Sequence, residues 1–188
     1  MTSALHRNST RLRDFDYASS GAYFATICTA QRAHLFGEIV DGQMVLNGVG
    51  QIALETWSAI PEHFTSVFLD EFVIMPNHIH GVLCIERPTV GALCLAHMGV
   101  THAAPLHSAS PRFNVEAGSL GAIVRSFKAA VTKRARAASS NADLHVWQRG
   151  YHDHVVRDIS DLERIRVYIS TNPLEWHLDE YAAITVAA

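Results

Sequence analysis

The chain has few cysteines, no long apolar run and no excess of positive charge. Its three cysteines, Cys28, Cys84 and Cys94, are odd in number and show no C-x-x-C spacing. This argues against a disulfide framework and a structural zinc site, and makes the cytoplasm the expected compartment. No stretch approaches the ~18 apolar residues of a membrane span, and the polar start Met1 to Asp16 lacks a signal-peptide pattern. No membrane partner is expected. Lys and Arg number 15 against 18 Asp and Glu, a net charge of -3. That balance speaks against a general nucleic-acid coat protein, whose footprint is basic, while leaving room for a local patch.

What remains is ordinary globular material: 188 residues, 48% hydrophobic and 18% charged. One domain over residues 1–188 is the expectation, large enough to bury roughly 70% of its unfolded surface without staples. Gly21 to Thr29 is rich in β-branched and aromatic residues and reads as a strand, as does Val67 to Met75. Leu35–Val40 and Gln43–Leu46 flank Asp41-Gly42, the signal of a type I′ hairpin. Asn47 caps a helix whose Val49, Ile52, Ala53, Trp57 and Ile60 recur at helical spacing. Pro76-Asn77 breaks the second strand, which resumes at His78 as the other arm of a hairpin.

Residues 87–118 lose all periodicity and are punctuated by Pro88, Pro105 and Pro111, so a long flexible loop is expected. Its His97, His102 and His107 are irregularly spaced and read as solvated. Ser119 to Arg136 is the clearest helix, with an apolar stripe of Leu120, Ile123, Val124, Phe127 and Val131. Around the stripe lie Arg125, Lys128, Lys133, Arg134 and Arg136, with no acid between Glu116 and Asp143. This suits either a phosphate partner or a solvated helix face. Arg7, Arg11 and Arg13 form a second basic stretch. Val146 to Arg157 reads as one strand entered by Trp147. Ser160 to Glu163 fits a capping box opening a helix from Asp161 to about Thr171, stopped by Asn172-Pro173.

Together these elements predict an α+β, ferredoxin-like antiparallel sheet with helices packed on one face and a small β-hairpin decoration.

Two His-x-His pairs stand out. On a strand, residues two apart share a face about 7 Å apart, close enough for two imidazoles to converge on one cation. His78 and His80 have this spacing, and so do His152 and His154. Spacing alone does not separate them; His154 is kept as a site-lining or structural histidine. Near the C-terminus, Tyr168 and Asn172 lie one turn apart on one helix face.

The run Met75-Pro-Asn-His-Ile-His-Gly-Val82 resembles the His-hydrophobic-His signature of the HUH nucleases, in the form carried by REP-associated tyrosine transposases and their insertion-sequence relatives. Ile165-Arg-Val-Tyr-Ile-Ser-Thr-Asn-Pro173 resembles their tyrosine helix. The similarity also takes in the Asp41-Gly42 hairpin, Ser119 to Arg134 and Trp147 to Arg157, and implies the same ferredoxin-like fold. It further implies a transposase or DNA nickase that cleaves single-stranded DNA near hairpins. Tyr168 would be the nucleophile, forming a 5′-phosphotyrosine, with His78, His80 and Asn172 holding Mg²⁺ or Mn²⁺. Ligand chemistry alone would also admit Zn²⁺ and favours Mn²⁺ over Mg²⁺.

Arg125, Lys128 and Arg149 are the DNA contacts suggested by charge and position. Tyr23 and Tyr151 are rival nucleophiles, but they fall on expected strands and have no Asn one turn on. Two other functions fit: a non-catalytic hairpin-binding DNA protein, and an RNA-processing enzyme on the same fold. A homodimer is left open, since Tyr168 can serve its own histidine pair or a partner's.

Overall fold

In the computed structural model, which describes residues 15–87 and 117–179, the chain forms a four-stranded antiparallel sheet and a separate hairpin. The strands are β1 (Gly21–Cys28), β2 (Gly37–Val40), β3 (Gln43–Leu46), β4 (Val67–Met75), β5 (His78–Ile85) and β6 (His152–Val155). The helices are α1 (Gly48–Ser58), α2 (Ile60–His63), α3 (Leu120–Ser139) and α4 (Ile159–Thr171), followed by a 3-10 turn at Trp176–Leu178.

The sheet order is β4-β5-β1-β6, with β1 paired along its length to β5 and at four positions to β6. Because successive side chains alternate, this register sorts the two faces. Tyr23, Ala25 and Ile27 of β1 join Ile79, Leu83 and Ile85 of β5 in the main core, under Trp57 of α1 and Ile123 and Phe127 of α3. The other face carries Ala22, Phe24 and Thr26 beside His78, His80 and Val82. There Leu162, Ile165 and Ile169 of α4 pack on Ala22, Phe24 and Val82. The α+β expectation is therefore met, with α1 and α3 on one face, and α4 is the element laid across the opposite face. The side chain of Arg166 on α4 grips Asp70 of β4 with two bonds, Nε to Oδ1 at 2.7 Å and Nη2 to Oδ2 at 2.6 Å.

Local signals act as their chemistry requires. Asp41 (φ 50°) and Gly42 (φ 74°) make the left-handed pair of a type I′ turn between β2 and β3. The Asn47 side chain accepts from the amides of Val49 and Gly50, and Ser119 caps α3 through Ala122. Gly81, next to His80, has no alternative: a Cβ there would meet Trp57 Cζ2 at 2.3 Å.

Two boundaries differ from expectation. The strand read over Val146 to Arg157 is regular only in β6, with one isolated bridge from Trp147 to Thr29. Gly150, at φ 81°, turns the chain between them. Helix α4 begins earlier than Asp161, because Asp158, not Ser160, is the cap and accepts from the Asp161 amide at 2.8 Å. A carboxylate at the cap also complements the helix dipole. Apart from its ends, the loop of residues 87–118 lies outside the described residues, as do Arg7, Arg11, Arg13, Cys94 and the loop histidines. Among the described residues no helix is long and apolar enough to cross a membrane.

Candidate metal and tyrosine site

Strand β5 is flanked on both sides, by β4 and β1, so its alternate side chains are sealed from solvent on the α4 face as well as in the core. His78 and His80 accordingly have 0% and 1% exposure, with ring centroids 4.3 Å apart. Burial pushes the His78 imidazole down to about 3, with the nearby Arg32 charge adding to the effect. Burial also holds His80 well below the usual histidine range, aided by His78 and opposed by Asp179. Both rings are therefore neutral, the form that lends a lone pair to a cation.

Their orientation is set from behind. His78 Nδ1 lies 2.9 Å from Asn77 Oδ1, and the Asn77 amide nitrogen donates to the Arg32 carbonyl at 3.1 Å. That second bond makes Oδ1 the acceptor, so His78 carries its proton on Nδ1. His80 Nδ1 lies 2.9 Å from Thr26 Oγ1. In each ring the second nitrogen, Nε2, faces the site, as metal-binding histidines held by an outer partner do. Phe24 stacks on His80 at 5.4 Å, and Trp176 lies over His78 at 6.0 Å.

Helix α4 presents a single stripe to this face: Asp161, Ile165, Tyr168 and Asn172, spaced four, three and four residues apart. The Tyr168 hydroxyl lies 3.1 Å from His80 Nε2, and the residue remains 41% exposed. Asn172 is buried, and its Nδ2 donates to Asp179 Oδ2 at 3.0 Å. Since a carboxylate only accepts, this bond orients the amide. Asn172 Oδ1 is buried and accepts no hydrogen bond among the described residues. Asp179 Oδ2 is also 3.9 Å from His78 Nε2.

His78, His80 and Asp179 each offer one ligand atom, all within 4.8 Å of one another. Two neutral imidazoles, a carboxylate and an orphaned amide oxygen make a donor set that fits a divalent cation, and the oxygen pair suits Mn²⁺ or Mg²⁺. The resemblance of the two motifs singled out His78, His80, Tyr168 and Asn172, which the fold gathers at one point. It missed Asp179, seven residues beyond Asn172 and past a proline, where no local pattern points back to the site.

No family model matches the chain. A protein of Haemophilus influenzae described as an uncharacterized protein is 41% identical over 177 residues, covering 93% of this chain and 92% of that one. The chain belongs to the family of that protein. Among solved structures, a REP-associated tyrosine transposase bound to a REP hairpin superposes with a TM-score of 0.54 at 14% identity, over 86% of this chain and 71% of the other. The chain therefore shares the fold of that structure.

Within that fold, two of the three basic residues read as DNA contacts lie on the layer opposite the histidines. Arg125 and Lys128 belong to α3, on the opposite layer from α4. Lys128 Nζ donates to the carbonyls of Gln148 and Gly150 at 2.7 and 2.8 Å and lies 5.7 Å over the Trp147 ring. It therefore holds the segment leading into β6. Arg134 is paired with Glu55, and Arg136 Nε donates to the Leu144 carbonyl. Arg125 and Arg149 are exposed. Of the rival tyrosines, Tyr23 is fully buried, its hydroxyl donating to the Ser19 carbonyl at 2.8 Å, and burial raises its pKa. Tyr151 packs against the main core.

Proposed function

We propose that the protein is a metal-dependent single-strand DNA endonuclease and strand transferase that acts near hairpins through a 5′-phosphotyrosine. The observation that carries this reading is the 3.1 Å contact between the Tyr168 hydroxyl and His80, at the rim of the His78, His80 and Asp179 cluster. His78, His80 and Asp179, with the Asn172 amide oxygen, would hold Mg²⁺ or Mn²⁺. Such an ion supplies charge stabilisation at a nonbridging phosphate oxygen.

The chain's own groups do the rest. His80 Nε2 has one lone pair, so it serves either the Tyr168 hydroxyl or a cation. A cation held by His80 Nε2 would leave the Tyr168 phenol without that acceptor, able to turn to the phosphate. Tyr168 then attacks the phosphorus, and the phosphoester stored on its oxygen can be returned to another 3′-hydroxyl without an external energy source. Single-stranded DNA suits this face because a strand already unpaired is bent into the site at little cost. The structural neighbour solved with a REP hairpin supports a hairpin-bearing substrate. Arg125 and Arg149 are the available phosphate contacts, with Lys128 bracing the segment that carries Arg149. Tyr168 and His80 meet within one chain, which supports attack in cis.

The test is incubation of the protein with a pool of hairpin-bearing single-stranded DNA oligonucleotides and Mn²⁺, followed by a denaturing gel. Wild type should give a covalent protein-DNA adduct and Tyr168→Phe none. Retained hairpin binding without an adduct would replace the enzyme by a binding protein, and adducts with the matching RNA pool alone would move the substrate to RNA.

A further inference from the structure

The second His-x-His pair is absorbed by neither the fold nor the metal cluster. His152 and His154 project from β6 onto the same face as His80, through the pairings Thr26 with both His80 and His152 and Phe24 with His154. A cavity of ≈ 270 Å³ joins them to the nucleophile: it is lined by residues 152–154 together with Phe24, Thr26, His80 and Tyr168. By strand spacing, the backbones of His80 and His154 are roughly 12 Å apart, a gap that two imidazoles and one phosphate group can fill.

His154 differs from its neighbour in having a built partner. Its Nε2 lies 2.8 Å from Asp161 Oδ2, on the α4 stripe that carries Tyr168. Asp161 is itself fixed by the Arg157 amide at 3.1 Å and by Arg164 Nη2 at 2.9 Å. Donation of Nε2-H to this carboxylate leaves Nδ1 as the nitrogen that exchanges protons. A histidine oriented by a carboxylate, beside a nucleophile, in a cavity open to solvent, is the arrangement general acid-base chemistry uses.

Resting on the strand-cleavage reading above, we infer that His154 is a catalytic general acid and base at the 3′ oxygen of the scissile phosphate, with Asp161 its positioning residue. In cleavage, the Tyr168 oxygen forms a bond to phosphorus, the phenol proton passes to water, and the bond from phosphorus to the 3′ oxygen breaks. The departing oxygen takes the proton from His154 and leaves as a neutral hydroxyl. In strand joining, neutral His154 removes the proton from the attacking 3′-hydroxyl, and Tyr168 is released as its phenol with a proton from water.

The test uses the oligonucleotide that gives the most adduct in the pool, resynthesised with sulfur in place of the 3′ bridging oxygen. A thiolate leaves without a proton. His154→Ala should slow adduct formation on the oxygen substrate by about 100-fold, and act within about threefold of wild type on the sulfur substrate. Asp161→Asn should show the same pattern with a smaller loss. Retained Mn²⁺ binding by both variants reports a folded site, and Asp161→Asn carries the test if His154→Ala loses it. Equal slowing on both substrates, or none on either, overturns the inference while leaving strand cleavage intact. Failure of wild type to form any adduct removes both.

Discussion

His78 and His80 on β5 and His152 and His154 on β6 have the same spacing and the same face, yet they are different kinds of pair. Strand β5 lies inside the sheet, so its pair is buried, neutral and braced by Asn77 and Thr26. Strand β6 is an edge of four residues; His152 is exposed, and the His154 side chain is 40% exposed beside a carboxylate. An interior strand takes imidazoles out of water and leaves them as lone-pair donors, whereas an edge strand leaves them in reach of solvent. Position in the sheet, not spacing, separates a buried pair from an exposed one.

The comparison breaks or sharpens under measurement. His78→Ala or His80→Ala should weaken Mn²⁺ binding by about 100-fold or more in calorimetry, beyond the loss typical of an outer-shell change. His152→Ala should stay within about twofold; an equal loss there would erase the distinction. Removing the braces tests what sets the buried pair: Asn77→Ala and Thr26→Val should each cost roughly 10- to 100-fold in Mn²⁺ affinity, because the ring loses its fixed tautomer and direction.

Acid should act on the buried pair first. The folded His78 pKa, about 3, lies below the ordinary 6.5, so between these values the unfolded chain binds more protons. The contribution is fully present above pH 6.5 and is lost as pH falls toward 3, at up to about 1.4 kcal/mol per pH unit for each such histidine. Urea melts at stepped pH check this. A His152→Ala protein should follow the same curve, and one that lost this pH dependence would place the buried proton acceptor on the wrong strand. The smallest effect is on Tyr168→Phe, which removes a competitor for His80 Nε2. Losing a hydrogen bond worth about 1 kcal/mol should tighten Mn²⁺ binding by up to about fivefold, while abolishing any adduct. Weaker binding would mean that the phenol supports the cation site instead of blocking it.

Much of this site is legible from residue order because its parts are local. That His78 and His80 share a face follows from the two-residue period of a strand, and that Tyr168 and Asn172 do from the turn of a helix that Pro173 stops, while the choice of these residues rests on the resemblance of the two motifs. The Asp41-Gly42 turn and the Asn47 and Ser119 caps are likewise set within a few bonds. Two local readings still misplace a boundary: Gly150 ends the ladder that Val146 to Arg157 suggested, and Asp158 outcompetes Ser160 as cap. Lys128 reads as a free cation in the helix pattern, but its ammonium is held by the Gln148 and Gly150 carbonyls.

What the sequence determined by itself is therefore the set of elements and the face each reactive side chain takes on its own element, since short-range sterics and hydrogen bonds decide both. Tertiary structure alone decided which histidine pair is buried, that Asp179 joins it and that Asp161 reaches His154. Those outcomes depend on strand order and on how α4 lies across the sheet. They bring together residues from β1, β5, β6 and α4 that no periodicity along the chain relates.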